Sequence, residues 1–303
     1  MRLIATMPLR NEAWIVGLSS RVVLMWADHL VCLLHASTDR TAEIIGQVAQ
    51  EHPGRVTILT ESDPTWREMD HRQRMLTTAR GLGATHIALT DADEVLTGDS
   101  LSGVRDRIAG LHPTACFQTA MSCMWRSLDR YRIDGSTWAG RRDFVLAFAD
   151  APSLSWRPVL GYDHHQRNPL GSRQGVTPVF GGVMHLQWAS WRRLTAKHAW
   201  YQMHERLRYP TKPVALIART YARAPDERGL KTAEVPAGWW KPYRELRSHV
   251  DLDAEPWHEA ECRRLLELYG KSRFAGLNLH GVDRVPGAER VPVVARTSRF
   301  EPF

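Results

Sequence analysis

Asp91-Ala92-Asp93-Glu94 places three carboxylates within four residues, directly after the apolar run Ile87-Ala88-Leu89. An apolar, β-branched run that ends so abruptly predicts a buried strand with the acids at its carboxyl end. In open α/β sheets, ligands bind just outside the carboxyl ends of the strands. Carboxylates gathered there repel one another unless a cation lies among them. Hard oxygen ligands suit Mg²⁺ or Mn²⁺, ions that are commonly shared with substrate phosphates. The chemistry on offer is a metal-bridged phosphate ligand, and a solvated acidic turn is the plain alternative.

The elements that must position this turn can be read from hydrophobic pattern and punctuation. Residues 2–8 read as a first buried strand stopped by Pro8, followed by the polar corner Leu9-Arg10-Asn11-Glu12 and a helical pattern to about Asp28. Residues 30–35 form a second strand, after which Ser37, Thr38 or Asp39 can cap a helix beginning near Thr41. Pro53-Gly54 ends that helix, residues 55–60 make a third strand, and a helical pattern over 65–80 carries Arg72 and Arg74. Such spacing predicts βαβ units and a largely parallel sheet. Further on, the pattern predicts a helix over 101–111, strands over 114–126 and 143–149, and a loop-rich stretch over 161–182. A short strand over 183–188, a helix over 190–208 and another over 257–269 follow, with a Pro/Arg-rich tail from Val282 packing loosely. Neither a G-x-x-x-x-G-K nor a G-x-G-x-x-G sequence occurs, which argues against phosphate-loop and dinucleotide-fingerprint sites.

The 303 residues, 43% of them hydrophobic, suffice for one large or two modest domains. No apolar run reaches transmembrane length, and Met1–Ala5 leads into a strand pattern instead of a signal peptide. Cys32, Cys116, Cys123 and Cys262 have no paired metal spacing and read as reduced thiols of a cytoplasmic protein. The net charge of +7 is unevenly spread: residues 1–100 carry 9 Lys/Arg against 13 Asp/Glu, and residues 101–200 carry 13 against 6. Six of the twelve Trp also fall in that middle third. Basic and aromatic residues interleaved in this way suit an anionic or stackable partner such as nucleic acid, a phosphorylated glycan or a membrane surface. An Arg-rich composition is the plain alternative.

Taken together, Pro8-Leu9-Arg10-Asn11-Glu12 after the first strand, Ser37-Thr38-Asp39-Arg40-Thr41 after the second and Thr90-Asp91-Ala92-Asp93-Glu94 after the fourth resemble the ordered motifs of family 2 glycosyltransferases. The resemblance spans about the first hundred residues. It implies an α/β fold of GT-A type, with a Rossmann-like nucleotide-binding sheet flanked by helices and a mixed, largely helical C-terminal extension. It divides the chain into a nucleotide-sugar half (1–100), an acceptor half (101–210) and the extension with its basic tail (211–303). By the same resemblance Pro8, Arg10, Asn11, Glu12 and Asp39 line the nucleoside pocket, although Asp39 can equally be a helix cap. Arg74, or Arg72, approaches the donor. Asp91 contacts ribose or a metal-bound water, and Asp93 ligates Mn²⁺ or Mg²⁺. Leu34-His35 stand where family members usually carry acidic residues, which leaves the base open, with a UDP-sugar as the leading donor.

Beyond residue 100 the resemblance thins to His185, Lys197 and Tyr201. It implies that His185 completes the metal or diphosphate site, and that Lys197 lies on a helix packed beside it. A general base must reach the acceptor hydroxyl. Asp163, in a polar loop-borne cluster, is the choice, with Asp143 and Asp134 as rivals. The adjacent pair His164-His165 would point to opposite faces of a strand and reads as a polar loop.

The expected activity is a metal-dependent, inverting sugar transfer to a hydroxyl. Tryptophans and positive charge in the acceptor half narrowly favour a hydroxymethylated pyrimidine in DNA. A cell-envelope or lipid-linked glycan is the alternative acceptor. A non-catalytic nucleotide- or polyanion-binding protein and a nucleotidyltransferase are the alternatives of another class.

Overall fold

The computed structural model describes residues 1–135, 141–157, 167–176 and 182–282. β1 (Leu3–Leu9), β2 (His29–His35), β3 (Val56–Glu61) and β4 (His86–Leu89) lie parallel in the order β3-β2-β1-β4. Helices α1 (Val16–Trp26), α2 (Thr41–Glu51) and α3 (Glu68–Gly81) form the crossovers between them. β1 and β2 are almost wholly buried, as near-continuous apolar runs must be when both faces of a parallel sheet are covered. Their side chains still alternate. Leu3, Ala5, Met7 and Leu9 join Leu30, Cys32 and Leu34 in the core on the α1/α2 face. Ile4, Val31, Leu33, Ile87 and Leu89 pack with Met75 and Leu76 of α3 on the other.

The sheet then changes character. β8 (Arg141–Ala149) pairs antiparallel with β4 and with β6 (Ala115–Cys123), and β6 carries β10 (Gly182–His185) parallel to it. β5 (Glu94–Leu96) closes the edge, antiparallel to β10. β9 (Arg173–Val176) pairs with β6, and a separate two-stranded sheet joins β7 (Arg130–Arg132) to β11 (Thr232–Glu234). The helix α4 (Val104–Ala109) follows β5 in the chain. The fold is therefore α/β: a large parallel-rich sheet flanked by helices.

Three expectations shift. The first strand runs through Pro8 to Leu9 instead of stopping at Pro8. The strand expected over 183–188 ends at His185, and Leu186–Trp188 turn into a 3-10 helix. Glu94 does not stay in the acidic turn but opens β5, a strand too short to be seen as a pattern.

The C-terminal extension packs on α5 (Trp191–Arg208), which is capped at its start by Ser190, whose hydroxyl accepts from the Arg193 N–H. That helix packs against α8 (Trp257–Tyr269) around Trp200, Met203, Cys262, Leu265 and Phe274. Two short helices lie between, α6 (Val214–Ala222) and α7 (Ala237–Trp240). Neither was foreseen, since α6 is nine residues long and α7 four. The four cysteines are buried and unbridged. Among the described residues, no helix is long and apolar enough to cross a membrane.

Candidate active site

The site forms because the chain crosses the sheet at the acidic turn. Thr90 leaves β4 with its N–H and hydroxyl both donated to the Thr6 carbonyl, each at 3.1 Å. Four residues later β5 has joined the far edge, where Glu94 pairs with His185 across the antiparallel ladder. The Leu186 N–H donates to the Asp93 carbonyl at 2.7 Å, which locks the turn against the end of β10. His185 Nε2 thereby lies 3.6 Å from Asp93 Oδ1, while Lys197 Nζ from α5 lies 3.5 Å from Oδ2. Lys197 is held in place by Gln187 Oε1 at 2.7 Å. Asp93, His185 and Lys197, read from three separate places in the sequence, are in one contact set.

Electrostatics follow from this packing. Burial disfavours a charged Asp93, but Lys197 and His185 prevail and hold it well below the usual carboxylate range. Burial works against protonated His185 as well, yet Asp93 raises it to about 10. Glu12 is the counterweight. Its own burial, with the Asp93 charge behind it, raises it to about 7 against the pull of Lys197 and Arg193. The Trp14 indole N–H donates to Glu12 Oε2 at 2.7 Å.

The remaining two acids have partners that the sequence reading missed. Arg167 donates to both oxygens of Glu94, at 2.8 and 2.5 Å, and to Asp91 Oδ2 at 3.3 Å. It also caps the Leu89 carbonyl at 2.6 Å and the Val145 carbonyl at 2.8 Å, and lies over the Phe144 ring. Arg72, not Arg74, is the α3 arginine that reaches the turn: its Nη2 is 3.6 Å from Asp91 Oδ1, and its Nε donates to Glu68 at 2.9 Å. Arg74 points to Glu61 at 3.7 Å on an exposed face. A helix that presents one arginine to the sheet and the other to solvent could have been told apart by phase, since Met69, Arg72, Met75, Leu76 and Ala79 form the buried stripe. The cations that keep these carboxylates together are thus supplied in part by the chain itself.

Asp93, Glu94 and His185 each offer a ligand atom within 4.8 Å of the others, a candidate metal site. The donor chemistry fits: a carboxylate and an imidazole suit Mn²⁺, with further positions left to substrate phosphates. Glu94 is the poorest of the three, because Arg167 and the Asp91 N–H already occupy its oxygens.

The first two turns are stapled to each other. Asn11, in the left-handed region at φ 55°, accepts the Thr38 N–H at 2.7 Å through its side-chain oxygen. Asp39 accepts the Ala13 N–H at 3.0 Å on one oxygen and the Thr41 N–H and hydroxyl on the other, at 2.9 and 2.5 Å. These bonds give Asp39 a turn-holding role at the start of α2, and it stays solvent-exposed. Pro8 sits half-buried within β1 beside Leu33. Arg10 donates to the Pro64 carbonyl at 2.9 Å and lies over the Trp257 ring. His35, buried, meets the Asp63 carbonyl at 2.9 Å and the His71 ring.

Asp163 and the His164-His165 pair lie outside the described residues. Of the rival bases, Asp134 is ion-paired with Arg132, and Asp143 is exposed on β8. Four of the middle-third tryptophans belong to the interior: Trp125, Trp156, Trp188 and Trp200 are at most 6% exposed, while Trp191 is half-buried. Several arginines of that third pair within the fold, Arg105 with Asp28, Arg126 with Glu227 and Arg192 with Glu255 and Glu259.

No family model and no curated protein matches this chain. Among solved structures it resembles the mannosyltransferase PcManGT from Pyrobaculum calidifontis in complex with GDP-Man and Mn²⁺, at 16% identity over 88% of this chain and 74% of that one, with a TM-score of 0.39. It also resembles the 1–349 segment of S. aureus TarS in complex with UDP-GlcNAc, at 13% identity over 42% and 35% of the two chains and a TM-score of 0.32. GalNAc-T7 with UDP, GalNAc and Mn²⁺ is similar at 10% identity over 48% and 34%, with a TM-score of 0.29. The match spans about a third of the TarS segment. Likeness this distant does not speak for the activity or ligands of this chain.

Proposed function

We propose that this protein is a glycosyltransferase that moves a sugar from a nucleoside-diphosphate-sugar donor to a hydroxyl acceptor. The observation that carries the reading is the meeting of Asp93, His185 and Lys197 at the carboxyl end of β4, beside the stapled turns that follow β1 and β2. A nucleotide lying across those turns would bring its phosphates to that cluster, as ligands do at the carboxyl ends of α/β strands. Asp93 and His185 would hold a divalent ion, with Glu94 behind them. When bound, such an ion stabilises the negative charge that develops on the departing diphosphate. Lys197 places a further positive charge beside the same oxygens, and Arg72 takes the α3 role expected of Arg74. Inversion at the sugar carbon requires a base from the acceptor side, for which Asp163 remains the proposal.

For the acceptor, the burial of Trp125, Trp156, Trp188 and Trp200 favours a glycan or lipid-linked hydroxyl over a flipped DNA base, because it takes four indoles of the middle third out of stacking. Salt separates the two acceptors. Transfer to DNA should collapse as ionic strength rises, and transfer to a neutral glycan should not.

The deciding experiment is calorimetric titration with nucleoside diphosphates and their sugars, with Mn²⁺ and then with chelator. Metal-dependent binding of one nucleotide, followed by sugar release, supports the transferase. Pyrophosphate release from a nucleoside triphosphate would instead indicate a nucleotidyltransferase, and nucleotide binding without turnover a silent binder.

A further inference from the structure

The corner after β1 and the first turn of α8 meet beside the donor cluster. Arg10 lies over the Trp257 ring at 4.8 Å, and Trp257 stacks on His258 with ring centroids 4.1 Å apart. Arg10 Nε, Trp257 Nε1 and His258 Nδ1 are all buried without a hydrogen-bond partner. Native proteins pair nearly all such atoms, because leaving them unpaired in a dry environment is costly. Three of them on residues stacked in series, Arg10 on Trp257 and Trp257 on His258, mark a place that lacks an acceptor. The arginine and indole nitrogens can only donate, and His258 donates as well in its Nδ1–H tautomer.

Charge points the same way. His258 is 4% exposed, and burial together with the positive charges of Lys197, Arg193 and Arg10 keeps it neutral, with Asp93 pulling in the opposite direction. Among the nearby acids, Glu12 and Asp93 face Lys197 and Arg193, Glu261 faces Arg10, and Glu259 is taken up by Arg192 at 2.7 Å. The thirteen-residue helix α8 begins here, and Pro256 at its N-cap has no side-chain acceptor for the first-turn N–H groups. The positive end of its dipole adds to the cationic surroundings.

We propose that Arg10, Trp257 and His258, backed by Lys197 and Arg193, form a phosphate subsite that binds its anion without a metal ion. An oxyanion at this corner would accept from all three unpaired nitrogens. That its occupant is the phosphate chain of the donor rests on the proposed function, whereas anion binding does not. The subsite makes the C-terminal extension part of the binding site, since Trp257 and His258 both come from α8.

The test is titration of the full chain with inorganic pyrophosphate in chelator, for wild type, Arg10→Met and His258→Gln. The titration is then repeated with Mn²⁺ in place of the chelator and the protein saturated with a nucleoside diphosphate. Wild type should bind pyrophosphate, each substitution should weaken it about tenfold or more, and the nucleotide should displace it. Pyrophosphate that still binds beside the nucleotide supports the subsite and assigns its phosphate to the acceptor. If nucleotide sugars do not bind but pyrophosphate does, and responds to both substitutions, the transferase reading fails and the subsite stands. Absence of pyrophosphate binding in chelator, or wild-type affinity in both variants, would overturn it. Arg10 is half-buried, so Arg10→Met keeps the test decisive should His258→Gln unfold.

Discussion

Replacing Arg167 by Met should destabilise the protein by about 3–5 kcal/mol at neutral pH, the usual cost of removing one partner from a buried ion pair. The guanidinium donates to the Val145 and Leu89 carbonyls, to Asp91 and to both oxygens of Glu94. The Arg167 and Glu94 side chains are 15% and 6% exposed, so water cannot take over those bonds. Methionine retains the apolar contact with Phe144, over which the guanidinium lies at 4.1 Å, and this confines the change to charge and hydrogen bonding. Denaturant unfolding of wild type, Arg167→Met, Glu94→Gln and the double variant isolates the pair. The double variant should recover much of the loss, because an amide at 94 needs no counter-charge. By heat, the single variant should melt roughly 6–20 °C lower, at about 2–4 °C per kcal/mol. Burial already raises Glu94 despite Arg167, so without the arginine its proton affinity climbs further. The penalty should therefore shrink as pH falls and Glu94 takes up a proton. A variant within about 1 kcal/mol of wild type, or a cycle without coupling, would refute a role for Arg167 in holding the acidic turn.

Asp93→Asn should abolish divalent-dependent nucleotide binding while leaving the far-ultraviolet circular dichroism unchanged; unaltered affinity with Mn²⁺ would remove Asp93 from the metal site. His35 is lowered to about 4 by its burial, by Arg10 and by His71, so its contribution is complete above its ordinary value of about 6.5 and is lost as pH falls towards 4. Stability should decline across that window by up to about 1.4 kcal/mol per pH unit, and His35→Gln should flatten the decline in a urea series. A Cβ on Gly182 would stand 2.5 Å from the Ala120 carbonyl oxygen, where the strand backbone cannot yield cheaply. Gly182→Ala should cost about 1–3 kcal/mol and weaken Mn²⁺ binding by moving β10 and His185, as read by unfolding and by calorimetry.

The parallel half was legible because each of its strands is an apolar run stopped by polar residues. β1, β2, β3 and the helices between them fall within a few residues of the pattern. Asp93, His185 and Lys197 were also legible, each from its place in the motif order, although no local feature says that they touch. What brings them together is β5, whose three residues pair with β10 by backbone bonds that leave no pattern in the side chains. Arg167 was hidden for a related reason: its partners are 73 and 76 positions earlier in the chain, and a lone arginine in a polar loop looks solvated. The charge asymmetry has a partly internal explanation. Excess acid in the first third and excess base in the middle third read as a call for an outside partner, yet Asp28–Arg105, Asp91–Arg167 and Glu94–Arg167 spend part of both within the molecule. Tryptophan count has a similar explanation for Trp125, Trp156, Trp188 and Trp200, since indole is as useful to a core as to a ligand.

Asp93 leaves the ribosome long before its neighbours do. His185 and Lys197 reach it only after the sheet has turned back on itself, and α8, with His258, comes later still. At 5–20 residues per second, roughly 10–30 seconds of synthesis separate the first of these residues from the last. Through that interval the nascent chain holds an acidic turn whose cations have not all arrived. A ribosome-bound or prematurely terminated product therefore has neither the charge balance nor the enclosure of the finished site. The charge balance of the turn is complete only once α5 and α8 have both been made.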